Sequence, residues 1–247
     1  MKTVVITGAS QGIGAQLVKS FLEKEFNVVF CARKENEFTK NLPKNAKFLA
    51  GDVRKRETHK KLVETAMEWT GRLNVYVNNA GVSQWKPIQD IDEEFLSMMI
   101  ETNLYGTFWG AQQAAEVMKP GSSIINISSL AGKRGSANNS AYCAAKFGVN
   151  GLTQSLAKEL GSKGIRVNAV CPVYIKTENL ISALSEGVSP TQGQDIEAYF
   201  SSFAKSQAAL GRLPLAEEIS RSCLFLAEEA SAITGQCINV DCGVMPQ

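Results

Sequence analysis

Short β-branched and aromatic runs recur along the chain, separated by longer stretches in which apolar residues return every three or four positions. The runs are TVVIT (3–7), NVVFC (27–31), KFLAG (47–51), LNVYVNN (73–79), SSIINISS (122–129), GIRVNAVC (164–171) and QCINVD (236–241). Each has strand length and is bounded by turn-forming residues, so the pattern predicts seven strands. Helical periodicity marks 13–25, 54–70, 92–118, 141–160 and 215–228. Continuously apolar strands alternating with helices imply a parallel sheet covered on both faces, because each crossover lays a helix on the sheet. The expected architecture is a doubly wound α/β fold, in which ligands lie beyond the carboxyl ends of the strands. There is no internal repeat or low-complexity segment, and only the region 172–211 lacks a clear element.

Composition then narrows the picture. The 247 residues, 44% hydrophobic and 20% charged, are enough for a large core. No linker-like segment divides them, which predicts one domain over 1–247. A net charge of +2 gives no electrostatic reason to expect nucleic acid or an anionic membrane as partner. A small molecule is expected instead. MKTVVITGAS runs directly into a strand with no signal-peptide core, and no window approaches 18 uninterrupted apolar residues, so a soluble, cytoplasmic protein is expected. Six cysteines (31, 143, 171, 223, 237, 242) form no CxxC pair and are expected to be mostly buried, with neither a zinc site nor a disulfide framework. The single histidine, His59, lies in the polar run RKRETHKK, which largely removes chemistry needing a histidine base or ligand set; no metal is expected.

Two stretches carry candidate chemistry. The first strand leads into TGASQGIG, with Gly8, Gly12 and Gly14 ahead of an apolar helix. Glycines let backbone approach a pyrophosphate, and the helix start supplies free N–H groups and the positive end of its dipole. The spacing is GxxxGxG rather than GxGxxG. In SAYCAAK (140–146), Tyr142 and Lys146 stand four residues apart on a helical pattern, and so share a face with small residues between them.

Together with NNAG (78–81), TNLYG (102–106), INISS (125–129), RVNAVCP (166–172), LGRL (210–213) and ITGQCINVD (233–241), in that order, these motifs resemble the short-chain dehydrogenase/reductase family of single-domain type over nearly the whole chain. The general resemblance is to 3-oxoacyl-[acyl-carrier-protein] reductases. It implies a Rossmann fold with a seven-stranded sheet, a nicotinamide dinucleotide, reversible hydride transfer between cofactor and a ketone or secondary alcohol, and a homotetramer. Position by position, it makes Tyr142 the acid/base and Lys146 its partner, which also hydrogen-bonds the nicotinamide ribose. It makes Ser129, at the family's interval of thirteen residues before Tyr142, the holder of the substrate oxygen, in preference to Ser128. Asn103 falls where a water links the lysine to solvent. A free tyrosine has a pKa of about 10, and a neighbouring ammonium with the oxidised nicotinamide is expected to lower it.

The same resemblance places the cofactor along Gly8, Ser10, Gln11, Gly12, Ile13 and Gly14, with Asp52 and Val53 flanking the adenine. Asn79, Ala80 and Gly81 line the middle of its path, and Pro172, Ile175 and Thr177 lie over the carboxamide. The second strand ends in Ala32–Arg33 where an acidic residue would accept from the ribose 2′-OH of NAD. An arginine suits a 2′-phosphate, so NADP(H) is expected over NAD(H), although Gln11 occupies a position that is basic in many NADP-preferring relatives. Pro172–Val173–Tyr174 departs from the family's Pro-Gly, which predicts a reshaped turn. Asp241–Cys242–Gly243 departs from the common Asp-Gly-Gly and is expected near a subunit contact.

Substrate choice is expected from a lid at about 178–210, helical with a flexible tip. This lid is longer than in the carrier-protein reductases, and EVMKPGSS lacks their basic docking cluster, leaving Lys163 as the one basic residue near that surface. A small hydroxyacid, sugar or cyclic alcohol is the alternative to a 3-oxoacyl thioester. Trp85 and Tyr174 either face the pocket or have a buried packing role. A noncatalytic dinucleotide-binding regulator is the competing class, and loss of Tyr142 or Lys146 would be its mark.

Overall fold

The computed structural model describes residues 1–246. Seven parallel strands run β1 (Thr3–Ile6), β2 (Asn27–Ala32), β3 (Ala46–Ala50), β4 (Val75–Asn78), β5 (Ser123–Ile127), β6 (Arg166–Pro172) and β7 (Cys237–Val240). Their order across the sheet is β3-β2-β1-β4-β5-β6-β7. Every pairing is parallel, with Val4 against both Val28 and Val75. The order reverses direction between β1 and β4, so the crevice for a ligand opens where those two strands end. The expected α/β fold with helices on both faces is present. Strand ends shift by a residue or two, as at Thr3–Ile6 against the expected 3–7.

The helices are α1 (Gly12–Glu23), α2 (Glu37–Lys40), α3 (Arg56–Thr70), α4 (Glu93–Ile100), α5 (Gly106–Val117), α6 (Ser140–Gly161), α7 (Glu178–Leu184), α8 (Ile196–Gln207) and α9 (Ala216–Glu228). Alternate strand residues feed opposite layers, as the two-residue period requires. On one face Val4, Ile6, Val28, Phe30, Val77 and Ile125 pack against Leu17 and Phe21 of α1 and Ile219 and Leu226 of α9. On the other, Val5, Val29, Tyr76, Ile124 and Val167 pack against Leu62 of α3, Ala111 of α5 and Leu160 of α6. All eleven of these strand side chains are fully buried, and each valine, isoleucine or phenylalanine among them stabilises the fold by about 1.5–3 kcal/mol through lost apolar surface.

Two departures from the expected elements matter for the site. The pattern over 92–118 predicts one helix, whereas α4 and α5 are joined by a π-helical turn, Glu101–Tyr105. The region 172–211 resolves into α7 and α8, capped by Thr177 and Asp195, whose side chains accept from Leu180 N and Ala198 N. Among the described residues, no helix is long and apolar enough to cross a membrane.

Candidate active site

The loop after β1 is a cradle. Gly8 and Gly12 have φ of +64° and +55°, the left-handed region that favours glycine. A Cβ on Gly8 would lie 2.5 Å from Ala80 Cα, and one on Gly14 would strike Gly8 O and Asn79 Nδ2. Gln11 precedes α1 without a side-chain cap, so the first N–H groups of that helix lack a side-chain acceptor. Backbone stripped of side chains in front of an uncapped helix start fits a pyrophosphate. Ile13 turns its side chain toward the core, leaving only backbone for a ligand.

Neighbouring segments hold this cradle from three sides. Thr7 Oγ1 accepts from Asn79 N and Ala80 N at 3.1 Å, and Asn79 Nδ2 donates to Thr7 O and Gly8 O at 2.9 Å. Asn36 Nδ2 donates to Ser10 O at 2.9 Å. Gln11 Nε2 donates to Asn179 Oδ1 at 2.8 Å, and a Cβ on Gly12 would stand 3.1 Å from Thr177 Cγ2, so the base of the lid touches the loop. The side chains of Asn79 and Gln11 are thereby committed to protein partners. Thr7, which opens TGASQGIG, and Asn36 are not among the expected site residues. Asn36 heads a capping box with Thr39, a local signal, but its reach to Ser10 is long-range.

Arg33 stands exposed just beyond β2. Asp52 is gripped by Arg54, whose Nη2 lies 2.6 Å from Oδ2, and this hydrogen bond, with the charges of Arg54 and Arg33, holds its carboxyl below the usual range. Val53 is buried, and its carbonyl accepts from His59 Nε2 at 2.8 Å. His59 Nδ1 therefore accepts from Tyr76 OH, also at 2.8 Å.

Ser129, at the end of β5, begins a short 3₁₀ turn, and its Oγ accepts from Ala131 N at 3.1 Å. Ser128 is buried and donates to Lys146 O at 3.4 Å, so its hydroxyl faces α6. Tyr142 and Lys146 share a face of α6, with Lys146 Nζ 5.6 Å from the Tyr142 ring centroid. Lys146 is buried and its Nζ donates to Ile127 O at 2.9 Å. Burial pushes the Tyr142 phenol up to about 12, with the Ser129 hydroxyl acting against it, and pushes Lys146 down to about 8. Burial of the phenol thus outweighs the Ser129 hydroxyl in the protein by itself, whereas the lowering expected above belongs to the state with an oxidised nicotinamide bound.

Asn103 is fully buried in the π-helical turn. Its Nδ2 donates to Val82 O and Met99 O at 2.9 Å, and its Oδ1 accepts from Val82 N at 3.2 Å. Its amide is spent on the kink and on the segment after Gly81. A Cβ on Gly81 would lie 2.9 Å from Asn103 Oδ1 and 3.6 Å from Lys146 Nζ, so a glycine there is what lets the three approach.

Pro172 pairs with Val240, Ile175 is buried in the sheet core, and Thr177 caps α7. No residue of 172–177 has positive φ, so Val173 fits without strain. It packs on Leu130 and Val244, while Tyr174 joins Trp85, Leu184 and Phe200 beneath the lid. The rings of Trp85 and Tyr174 thus pack beneath the lid. Four cysteines are buried; Cys237 and Cys242 are only partly so.

A family model described as "Enoyl-(Acyl carrier protein) reductase" matches residues 8–245. The chain belongs to the short-chain dehydrogenase/reductase family, and is an oxidoreductase of the kind that acts between CH–OH groups and carbonyls with a nicotinamide cofactor. It is 36% identical over 255 residues to a diacetyl reductase [(S)-acetoin forming] of Staphylococcus epidermidis, covering 99% of this chain and 98% of the relative. It is 33% identical over 256 residues to the 3-oxoacyl-[acyl-carrier-protein] reductase FabG of Chlamydia trachomatis, covering 98% and 97%. Among solved structures, actinorhodin polyketide ketoreductase with NADPH superposes with a TM-score of 0.89 at 30% identity, over 98% of this chain and 97% of that one. The aldohexose dehydrogenase of Thermoplasma acidophilum gives 0.88 at 29% identity, over 100% and 97%.

Proposed function

We propose that the chain is one dinucleotide-binding catalytic domain, with a lid at 178–210, that uses NADP(H) to interconvert a small uncharged ketone and its secondary alcohol. The observation that carries this reading is the meeting of Ser129, Tyr142 and Lys146 beside a glycine cradle that fits a pyrophosphate. A bound nicotinamide supplies or accepts the hydride at carbon. Tyr142 gives its proton to the developing alkoxide, or takes one from the alcohol. Ser129 donates a hydrogen bond to the same oxygen. Lys146 orients the ribose, with Asn103 close by across Gly81. Gly8, Ser10, Gln11, Gly12, Ile13 and Gly14 hold the pyrophosphate by backbone. Asp52 and Val53 flank the adenine, Asn79, Ala80 and Gly81 its path, and Pro172, Ile175 and Thr177 the carboxamide end.

Arg33, exposed at the end of β2, supports NADP(H) as the preferred cofactor by offering charge to a 2′-phosphate. The aromatic underside of the lid, from Trp85, Tyr174 and Phe200, supports a small neutral substrate. Similarity to the FabG relative supports a second reading, a 3-oxoacyl thioester. Exposed Tyr105, Phe108 and Phe147 give α5 and α6 an apolar surface that a second copy would cover, in keeping with a homotetramer. The reading is tested by following cofactor absorbance with small diketones and hydroxyketones, acetoacetyl thioesters, sugars and sterols. Turnover of a small ketone, with a higher kcat/KM for NADPH than for NADH, is expected. A tenfold preference for NADH overturns the cofactor assignment, and turnover of thioesters alone overturns the substrate.

A further inference from the structure

Five buried side-chain polar atoms have no hydrogen-bond partner among the described residues, and two of them sit on adjoining segments. Those two are Trp85 Nε1, a donor, and Asn139 Oδ1, an acceptor. The others, on Asn78, Gln112 and Asn239, belong to β4, α5 and β7. Trp85 is 4% exposed and Asn139 6%. A backbone bond from Lys86 N to Asn138 O, 2.7 Å long, joins their segments, and each residue is the immediate chain neighbour of that bond. An unpaired buried donor or acceptor costs about 1–3 kcal/mol, so two unpaired atoms of complementary kind in one region call for a ligand able to serve both.

Both stand on segments that adjoin the reaction centre. Asn139 directly precedes α6, three residues before Tyr142. Trp85 follows Gly81, the residue beside Lys146 and Asn103, by four positions. The lid roofs the region: Trp85 packs on Ala183, Leu184 and Phe200, and Asn138 Nδ2 donates to Val188 O at 3.1 Å.

Resting on the small-ketone reading, we infer that Trp85 Nε1 and Asn139 Oδ1 form a subsite for a second substrate oxygen, a hydroxyl on the carbon next to the reacting carbonyl. A hydroxyl accepts from the indole N–H and donates to the amide oxygen at once. A second carbonyl in that place uses Trp85 alone, and a hydrocarbon leaves both atoms unpaired. The substrate class is therefore the α-hydroxyketone, with the vicinal diketone bound more weakly at this subsite. A site built to hydrogen-bond a substrate hydroxyl discriminates strongly against the analogue lacking it.

The test compares acetoin, diacetyl and butanone with the wild type, Trp85→Phe, Asn139→Leu and the double variant, NADPH being saturating. The wild type is expected to favour acetoin over butanone in kcat/KM by at least tenfold. Trp85→Phe lowers the values for acetoin and diacetyl about tenfold more than that for butanone, whereas Asn139→Leu lowers acetoin alone. The two losses on acetoin are less than additive in the double variant, as for groups serving one ligand. Equal losses on all three ketones, or no loss, overturn the subsite and leave the residues a packing role. Should the variants fail to fold, a wild type that does not distinguish acetoin from butanone overturns it by itself, as does a water bridging the two atoms in the acetoin complex. If NADPH binds but no ketone is reduced, the reductase reading itself falls, an outcome distinct from loss of the subsite.

Discussion

At the scale of single residues, the chemistry rests on how burial sets proton affinity. Tyr142 and Lys146 share one helical face, yet in the protein alone they move in opposite directions, the phenol up to about 12 and the amine down to about 8. Their i, i+4 spacing is legible in SAYCAAK; the desolvation that governs them is not, because it comes from β5 and the segment at Gly81. His59 gives the same lesson. Its polar surroundings in sequence suggest a solvated surface, but its side chain is fully buried between Val53 O and Tyr76 OH. Burial depresses its pKa. A folded value below the unfolded value of about 6.5 means that stability from neutral His59 is fully present above that pH and is lost as pH falls through the folded value. Because the chain has one histidine, NMR titration reads it unambiguously. The imidazole is expected to remain neutral below pH 6.5, and a midpoint at or above 6.5 contradicts the burial account.

At the scale of elements, strands and long helices were readable because their periods of 2 and 3.6 follow directly from which faces are buried. The kink in 92–118 was not, since apolar periodicity continues through it while one wide turn is made by Asn103 bonding Val82 and Met99. Such π turns recur at functional sites, and this one brings Asn103 beside Gly81 and Lys146. The lid is legible as helical, and the structure divides it into two helices with Thr177 and Asp195 as caps. Valine and tyrosine at 173 and 174 were expected to reshape the turn. At negative φ they extend the apolar packing, with Tyr174 edge-on to Phe203 at 4.9 Å. The tethers of the cradle, Thr7 to Asn79 and Asn36 to Ser10, join residues 72 and 26 positions apart. A local pattern cannot reveal them.

At the scale of the whole molecule, the reversal of strand order between β1 and β4 brings the glycine cradle and the Asn79–Gly81 segment together, and the next strand, β5, delivers Ser129 to α6. The exposed aromatic residues on the α5–α6 side predict self-association, which light scattering checks: four chain masses are expected, and a monomer contradicts it. The central claim is that Tyr142 moves the proton while the cradle holds the cofactor independently of it. Its most direct measurement is the turnover of Tyr142→Phe with acetoin, alongside its Kd for NADPH. The account predicts unchanged NADPH affinity with kcat reduced about 100- to 10,000-fold, the range for loss of a positioned acid/base. Full turnover by a variant that binds NADPH normally would contradict it.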